Sequence, residues 1–291
     1  MVGSMTKKND RWPDLCKLVA DDDGLPVRDA GAWTEDKLYY WNRYVEITTT
    51  AMVDKPQWGA GLIYVDLFAG PGICKLRESG RRIPGSVLLA AHAPKPFKRI
   101  IACELDQELA SACRTRLDLT YAAKRSEVLT GNCNELIDRV TALIPDRALT
   151  LAFVDPEALH IHFSTLRRLT TGRRVDLLVL FADRMDIVRN VAMYASQSQS
   201  NLDTFLGPDT DWRSKWQNLP NQNARNVCDM FTNIFQEQLR QHLGYEFFSH
   251  MPVRSAKGPL YRLIYASKSE RGLDFLRKAE SKDKRGQRKL F

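Results

Sequence analysis

Five apolar runs, at residues 63–66, 99–104, 126–130, 149–154 and 175–181, have the length of strands, with helical periods set among them. The run at 149–154 is apolar on both faces, which suits a central parallel strand. Trp33, Leu38, Tyr39, Trp41, Tyr44, Val45 and Ile47 recur near helical spacing, with Lys37, Arg43 and Glu46 between them. This predicts an amphipathic helix lying across the sheet or the site, its aromatics read as core. Ser86 suits the N-cap of a helix over 87–91, and further helices are expected over 107–123 and 226–243. In the last, Val227, Met230, Phe231, Ile234, Phe235 and Leu239 share one face. Residues 245–253 and 260–266 pair as a terminal hairpin joined through 254–259.

The remaining stretches break this alternation. Residues 186–225, rich in Asn, Gln and Ser with Trp212 and Trp216, read as a small helical insertion. Residues 1–32 read as an irregular N-terminal segment, with Met1–Ser4 as a vector-derived scar ahead of the second methionine, Met5. Residues 33–267 form the main domain, and 268–291 a basic tail that starts helical, with nine Lys/Arg against four Asp/Glu. The fold class is α/β, with a mostly parallel sheet closed by an antiparallel hairpin.

The chain is organised around residues 63–72, where an apolar strand runs through Asp66 into a turn holding Gly70 and Gly72. A ligand that approaches the backbone closely needs residues without a Cβ there, and open α/β sheets bind ligands at this edge. Glu104 ends the second strand, 38 positions after Asp66, where a carboxylate can accept both ribose hydroxyls of a nucleoside. The longer than usual spacing is accounted for by an insertion over 73–84 carrying Lys75, Arg77, Arg81 and Arg82. Beside the crevice these cations suit phosphate contacts, or else form a solvated loop. Asn132 and Asn134 close the third strand, where an amide can edge onto an adenine or cap the following helix. Together these features read as a Rossmann-like fold with an adenosyl site.

Charge and cysteine usage add little that contradicts this. The formal net charge of +8 admits an acidic partner such as nucleic acid, or a solvated basic surface. The six cysteines show no CxxC pair and no zinc spacing; Cys103 and Cys133 fall in apolar strand patterns, so buried thiols in a reducing cytoplasm are expected. No run approaches a membrane helix in length and no signal peptide is visible, so a cytoplasmic protein is expected.

The segment 66–72 (DLFAGPG), Glu104 and Asp155-Pro156 resemble the class I S-adenosylmethionine-dependent methyltransferases, with a seven-stranded, mostly parallel sheet. The resemblance implies that Asp66, Phe68, Gly70 and Gly72 cradle the methionine end of S-adenosylmethionine, that Glu104 holds the ribose, and that Asn132 or Asn134 approaches the adenine. More narrowly, VDLFAGPGI, the later PGS, the DP-containing fourth strand, the Leu-Gly-then-Trp insertion and residues 261–267 (YRLIYAS) resemble the bacterial three-Cys-motif partner family, TcmP. That resemblance implies a three-cysteine radical-SAM-like protein as partner, in a bacterial or phage-associated setting. It names no reaction.

The chain departs from base-amine methyltransferases at the end of the fourth strand. Asp155-Pro156-Glu157-Ala158 lacks the second proline and the aromatic of D/N-P-P-Y/F, and no Pro-Cys pair of cytosine-C5 enzymes occurs. Asp155 and Glu157 are the candidate catalytic residues: Asp155 to orient an acceptor, Glu157 as general base or as a salt-bridge partner. No metal is expected, since His160 and His162 lack a third ligand. Three functions follow: a methyltransferase acting on nucleic acid, a non-catalytic partner module, and, last, a nuclease using Asp155, Glu157 and Asp183.

Overall fold

The computed structural model describes residues 10–255 and 258–281. In chain order its strands are β1 (Arg28–Ala30), β2 (Leu62–Asp66), β3 (Ile73–Leu76), β4 (Arg82–Pro84), β5 (Arg99–Glu104), β6 (Ser126–Thr130), β7 (Leu149–Val154), β8 (Arg174–Phe181), β9 (Phe247–Ser255) and β10 (Gly258–Ser267). The helices are α1 (Trp12–Lys17), α2 (Trp33–Met52), α3 (Ser86–Ala91), α4 (Gln107–Asp118), α5 (Cys133–Ala142), α6 (Phe163–Thr170), α7 (Val188–Ser196), α8 (Asn201–Leu206), α9 (Trp212–Gln217), α10 (Ala224–Leu243) and α11 (Glu270–Glu280).

Seven strands make one sheet in the order β6-β5-β2-β7-β8-β10-β9, parallel from β6 to β8, with β10 antiparallel to both its neighbours. The order reverses at β2, so the crevice beyond the carboxyl ends of β2 and β7 is the place where such sheets bind ligands. Successive side chains of a strand face opposite ways, and β2 shows why both faces must be covered. Leu62 and Tyr64 join one core with α2, α3 and α11, while Ile63 and Val65 join the other with α5, α6 and α10. All five β2 residues are buried.

Several expectations change in detail. The N-terminal segment is structured from α1 onward: Trp12 and Leu15 are buried, and β1 pairs with β3, which pairs with β4, in a second three-stranded sheet. Residues 1–9, with the expected vector-derived scar, lie outside the described residues. The helix expected over 107–123 stops at Asp118, because the Thr120 hydroxyl donates to Leu117 O (2.7 Å) and accepts from Ala122 N–H (3.0 Å), offering the backbone an alternative to another helical turn. Cys133 lies at the start of α5 and not in a strand, buried all the same. The N-cap of α3 is Gly85, and Ser86 has a different task described below. The basic tail begins as α11, whose Phe275, Leu276 and Ala279 are buried; Arg43 Nε on α2 donates to Ala279 O at 2.8 Å. Its remainder, 282–291, and the hairpin turn residues 256 and 257 lie outside the described residues. Among the described residues no helix is long and apolar enough to cross a membrane.

Candidate active site

The turn after β2 is built by backbone bonds that tie three strands together. Leu67 N–H donates to Phe153 O (3.1 Å), and Ala69 N–H to Cys103 O (2.9 Å). Gly70 (φ +61°) and Gly72 (φ +88°) take left-handed conformations that a side chain resists. Gly85 closes the turn from the other side: its N–H donates to Gly72 O at 2.8 Å, and a Cβ there would lie 2.9 Å from that same oxygen.

Asp66 lies beneath this turn and not in the crevice. It is fully buried, accepting from Ser86 Oγ (2.5 Å), Tyr64 Oη (3.2 Å) and Phe68 N–H (3.2 Å). Burial pushes its carboxyl up to about 7, against the lowering pull of those donors. The residue expected to cradle a ligand therefore holds the shape of the loop that would. Ser86 serves the same end, its hydroxyl spent on Asp66.

Glu104, at the end of β5, is bonded to the glycine turn. Its Oε2 accepts from Gly70 N–H (2.8 Å) and its Oε1 from Asp106 N–H (3.0 Å), which fixes the carboxylate while leaving each oxygen a further lone pair. Leu105 beside it is 72% exposed, an apolar side chain facing solvent. The two asparagines are used locally. Asn132 caps α5, its Oδ1 accepting from Asn134 N–H (3.0 Å). Asn134 donates to His160 O (2.9 Å) and accepts from His162 N–H (3.0 Å) and Thr165 Oγ1 (2.7 Å), holding the loop after β7.

A cavity of about 300 Å³ opens between the glycine turn, the end of β7, α2 and the N-terminal segment. Arg28, Trp33, Lys37, Phe68, Asp155 and Glu157 are among its lining residues, with Tyr261 at one side. Lys37, with its side chain 5% exposed, forms an ion pair with Asp155 Oδ2, and its Nζ sits 5.1 Å from the centre of the Trp33 ring. Arg28 pairs with Glu157 Oε1. Although burial opposes its charge, the carboxylates of Glu157 and Asp155 outweigh this and hold the guanidinium above its usual value. Tyr261 leans on Trp33, ring centres 5.0 Å apart; burial, then the charges of Asp155 and Glu157, raise its phenol. The two candidate catalytic carboxylates are thus brought together, each with a cationic partner on one oxygen and the other oxygen left to accept.

Sequence reasoning missed Arg28, Lys37, Trp33 and Tyr261 as site residues. Trp33, Lys37 and Trp41 follow one another at four-residue spacing, which places a lysine on the buried stripe of the helix and could have revealed it. Nothing in the local pattern marked Arg28, whose position depends on β1 pairing with β3.

The four cations of the insertion, expected at phosphates or on a solvated loop, have distinct surroundings. Arg82 is buried and donates to Asp22 and Asp23, both at 2.7 Å. Arg81 pairs with Glu35 at 2.6 Å, and Arg77 donates to Asp29 O at 3.2 Å from the cavity rim. Lys75 is exposed. The insertion is a β3–β4 hairpin in which acids of the N-terminal segment meet Arg82 and Glu35 of α2 meets Arg81. A larger basic groove of about 790 Å³ lies on the other side of Tyr261, lined by Arg184, Arg225, Arg254, Arg262 and His250 with Asp183 and Asp229. Arg262 pairs with Asp183 (3.1 Å) and Asp229 (3.0 Å), so Asp183 lies apart from Asp155 and Glu157. Among the described residues no group of three or more His, Cys, Asp or Glu is placed to hold a metal.

No protein-family model and no curated protein matches the chain. Solved structures do. The protein LPL1258 from Legionella pneumophila, of family DUF519, is similar with a TM-score of 0.51 and 13% identity, over 84% of this chain and 91% of that one. An O-methyltransferase from Bacillus cereus in complex with SAH is similar with a TM-score of 0.50 and 11% identity, over 91% and 94%. At such identity the likeness is one of fold: this chain has the Rossmann-like, class I methyltransferase fold.

Proposed function

We propose that this protein binds S-adenosylmethionine in the crevice at the carboxyl edge of the sheet and methylates a nucleic-acid acceptor. The observation that carries the reading is a cavity in this fold lined by Phe68 and Ala69 of the glycine turn and by Asp155 and Glu157, with Glu104 bonded to the same turn through Gly70 N–H. The residues fit the cofactor by their chemistry. The free lone pairs of Glu104 suit ribose hydroxyls, the exposed Leu105 suits the face of a base, and Arg28 suits the methionine carboxylate. When bound, the sulfonium supplies an activated methyl group.

The chain's own part is to position and deprotonate. The glycine turn admits a ligand against the backbone, and Lys37 holds Asp155 in one orientation so that its second oxygen can accept from an amine or hydroxyl. Glu157, 75% exposed at its side chain, can take the acceptor's proton after methyl attack. The groove beyond Tyr261 offers a cationic track of arginines to a phosphate backbone. Calorimetric titration with S-adenosylmethionine and S-adenosylhomocysteine tests the cofactor half; micromolar binding lost in Glu104→Ala supports it, and no binding at millimolar ligand overturns it. Transfer of radiolabelled methyl to RNA or DNA tests the acceptor half.

A second reading is favoured by one observation: both acidic residues at the end of β7 are already engaged by Lys37 and Arg28, and the aromatic of the amine-methylating motif is missing. On that reading the chain keeps the pocket and serves as a binding module for another protein, such as a three-cysteine radical-SAM-like partner. Cofactor binding without methyl transfer to any nucleic acid would favour it.

A further inference from the structure

At the other edge of the sheet, by the amino end of β8, lies a cavity of about 310 Å³ between α2, the turn at Trp58, β8 and the start of α11. Three cations line it, Arg174, Lys268 and Arg271, and none of them forms an ion pair among the described residues. Lys268 instead stands 5.3 Å from the centre of the Tyr245 ring, and burial, then nearby Arg174, lowers its ammonium below the usual value. Asp176, the acid on the wall, is consumed internally. It accepts from Tyr44 Oη and Ser267 Oγ, both at 2.7 Å.

Two independent features make this more than a basic patch. The N-cap of α11, Ser269, makes no side-chain capping bond, so the positive end of an eleven-residue helix opens among these cations. Thr48, fully buried in the wall, has a hydroxyl with no partner, and so does the buried indole N–H of Trp58. Unpaired buried donors are costly to leave unmet. Trp58, Phe275, Met52 and Val175 supply the apolar part of the lining.

We propose that this cavity binds a small phosphate monoester carrying a planar ring, its phosphate at the α11 N-terminus among Arg174, Lys268 and Arg271 and its ring against Trp58 and Phe275. A dianion matches three unpaired cations and free helix N–H groups better than a single carboxylate does. The volume is at the low end for small-molecule sites, which suits a ligand the size of an aryl phosphate or nucleoside monophosphate. The site is separate from the crevice, yet α2 contributes to both: Thr48 and Met52 here, Trp33 and Lys37 there.

The test is calorimetric titration of the full chain with phenyl phosphate and uridine monophosphate, beside inorganic phosphate and uridine. Both esters should bind, with Lys268→Met and Arg271→Gln each weakening them about tenfold, the worth of one charge-assisted bond. Arg271 is exposed, so its variant keeps the native melt and serves as the readout if Lys268→Met fails to fold. Quenching of indole fluorescence by the esters should vanish in Trp58→Phe. Saturating S-adenosylhomocysteine and Glu104→Ala should leave ester binding unchanged, which separates this site from the crevice. Absence of ester binding, binding unmoved in both charge variants, or inorganic phosphate binding as tightly as the esters would each overturn the proposal.

Discussion

Arg116 on α4 grips Asp23 of the N-terminal segment with two bonds, Nε to Oδ2 at 2.7 Å and Nη2 to Oδ1 at 2.8 Å. The same guanidinium, only 4% exposed, donates to Pro26 O (2.8 Å) and to Pro71 O in the glycine turn (2.6 Å). One side chain therefore ties the segment carrying Arg28 to the loop that shapes the crevice. The Arg116 and Arg82 bonds, against a smaller cost of burial, hold the Asp23 carboxyl well below the usual carboxylate range.

Removing that tie should loosen the turn and the segment together. Arg116→Met is expected to cost about 3 kcal/mol in urea unfolding, since it leaves Asp23 with Arg82 as its one cationic partner among the described residues and takes the donor from the carbonyls of Leu25, Pro26 and Pro71. Limited proteolysis should then cut within residues 18–27 first. A variant as stable and as protected as the wild type would mean that the segment is held by α1 alone.

Asp66 predicts a pH dependence of the opposite sign to an ion-paired acid. Its native value, about 7, lies above the ordinary 3.8, so the folded state keeps a proton that the unfolded chain releases. The stability it contributes is full below the ordinary value and is lost as pH rises through about 7. The melting temperature of the wild type minus that of Asp66→Asn should therefore fall between about pH 4 and about pH 7, by no more than about 4 kcal/mol in free-energy terms. A flat difference would place the carboxyl in a wetter environment than the one described.

Gly85→Ala tests how tightly the turn is drawn. The added methyl would sit 2.9 Å from Gly72 O, a backbone atom that cannot step aside without moving the turn. A loss of about 1–3 kcal/mol in thermal unfolding is expected, together with weaker S-adenosylhomocysteine binding. Gly80→Ala, with nothing within 4 Å of the new methyl but a φ of +69°, should cost about 1 kcal/mol and leave binding alone.

The thiols should be sluggish. Burial pushes Cys113, Cys133 and Cys228 up to about 12 and Cys16 to about 11, and raises Cys74 and Cys103 as well. Thiolates are the reactive species, so Ellman's reagent at neutral pH should label the native chain far more slowly than the chain in denaturant. Rapid labelling of any one thiol would single out a cysteine less buried than the structure has it.

Much of the architecture was readable in the chain because it depends on local pattern. Period-two and period-3.6 apolar spacing located β2, β5, β6, β7 and β8, the helices α2 and α10, and the closing hairpin, and the pair Gly70 and Gly72 marked the turn. Residue type and order also singled out Glu104, Asp155 and Glu157 as the acids at the strand ends. What tertiary structure alone decided is which groups face one another. A strand of three residues at 28–30 has too little pattern to stand out, yet its pairing with β3 brings Arg28 to Glu157, 129 positions away. Likewise Asp66 goes under the turn rather than into the crevice because Ser86, twenty positions later, reaches back to it. Arg82 is spent on Asp22 and Asp23 because its own buried guanidinium needs a counter-charge, whatever the partner's distance along the chain. Short-range periodicity is written in the order of residues; ion pairs across folded layers are written only in the packing that brings those layers together.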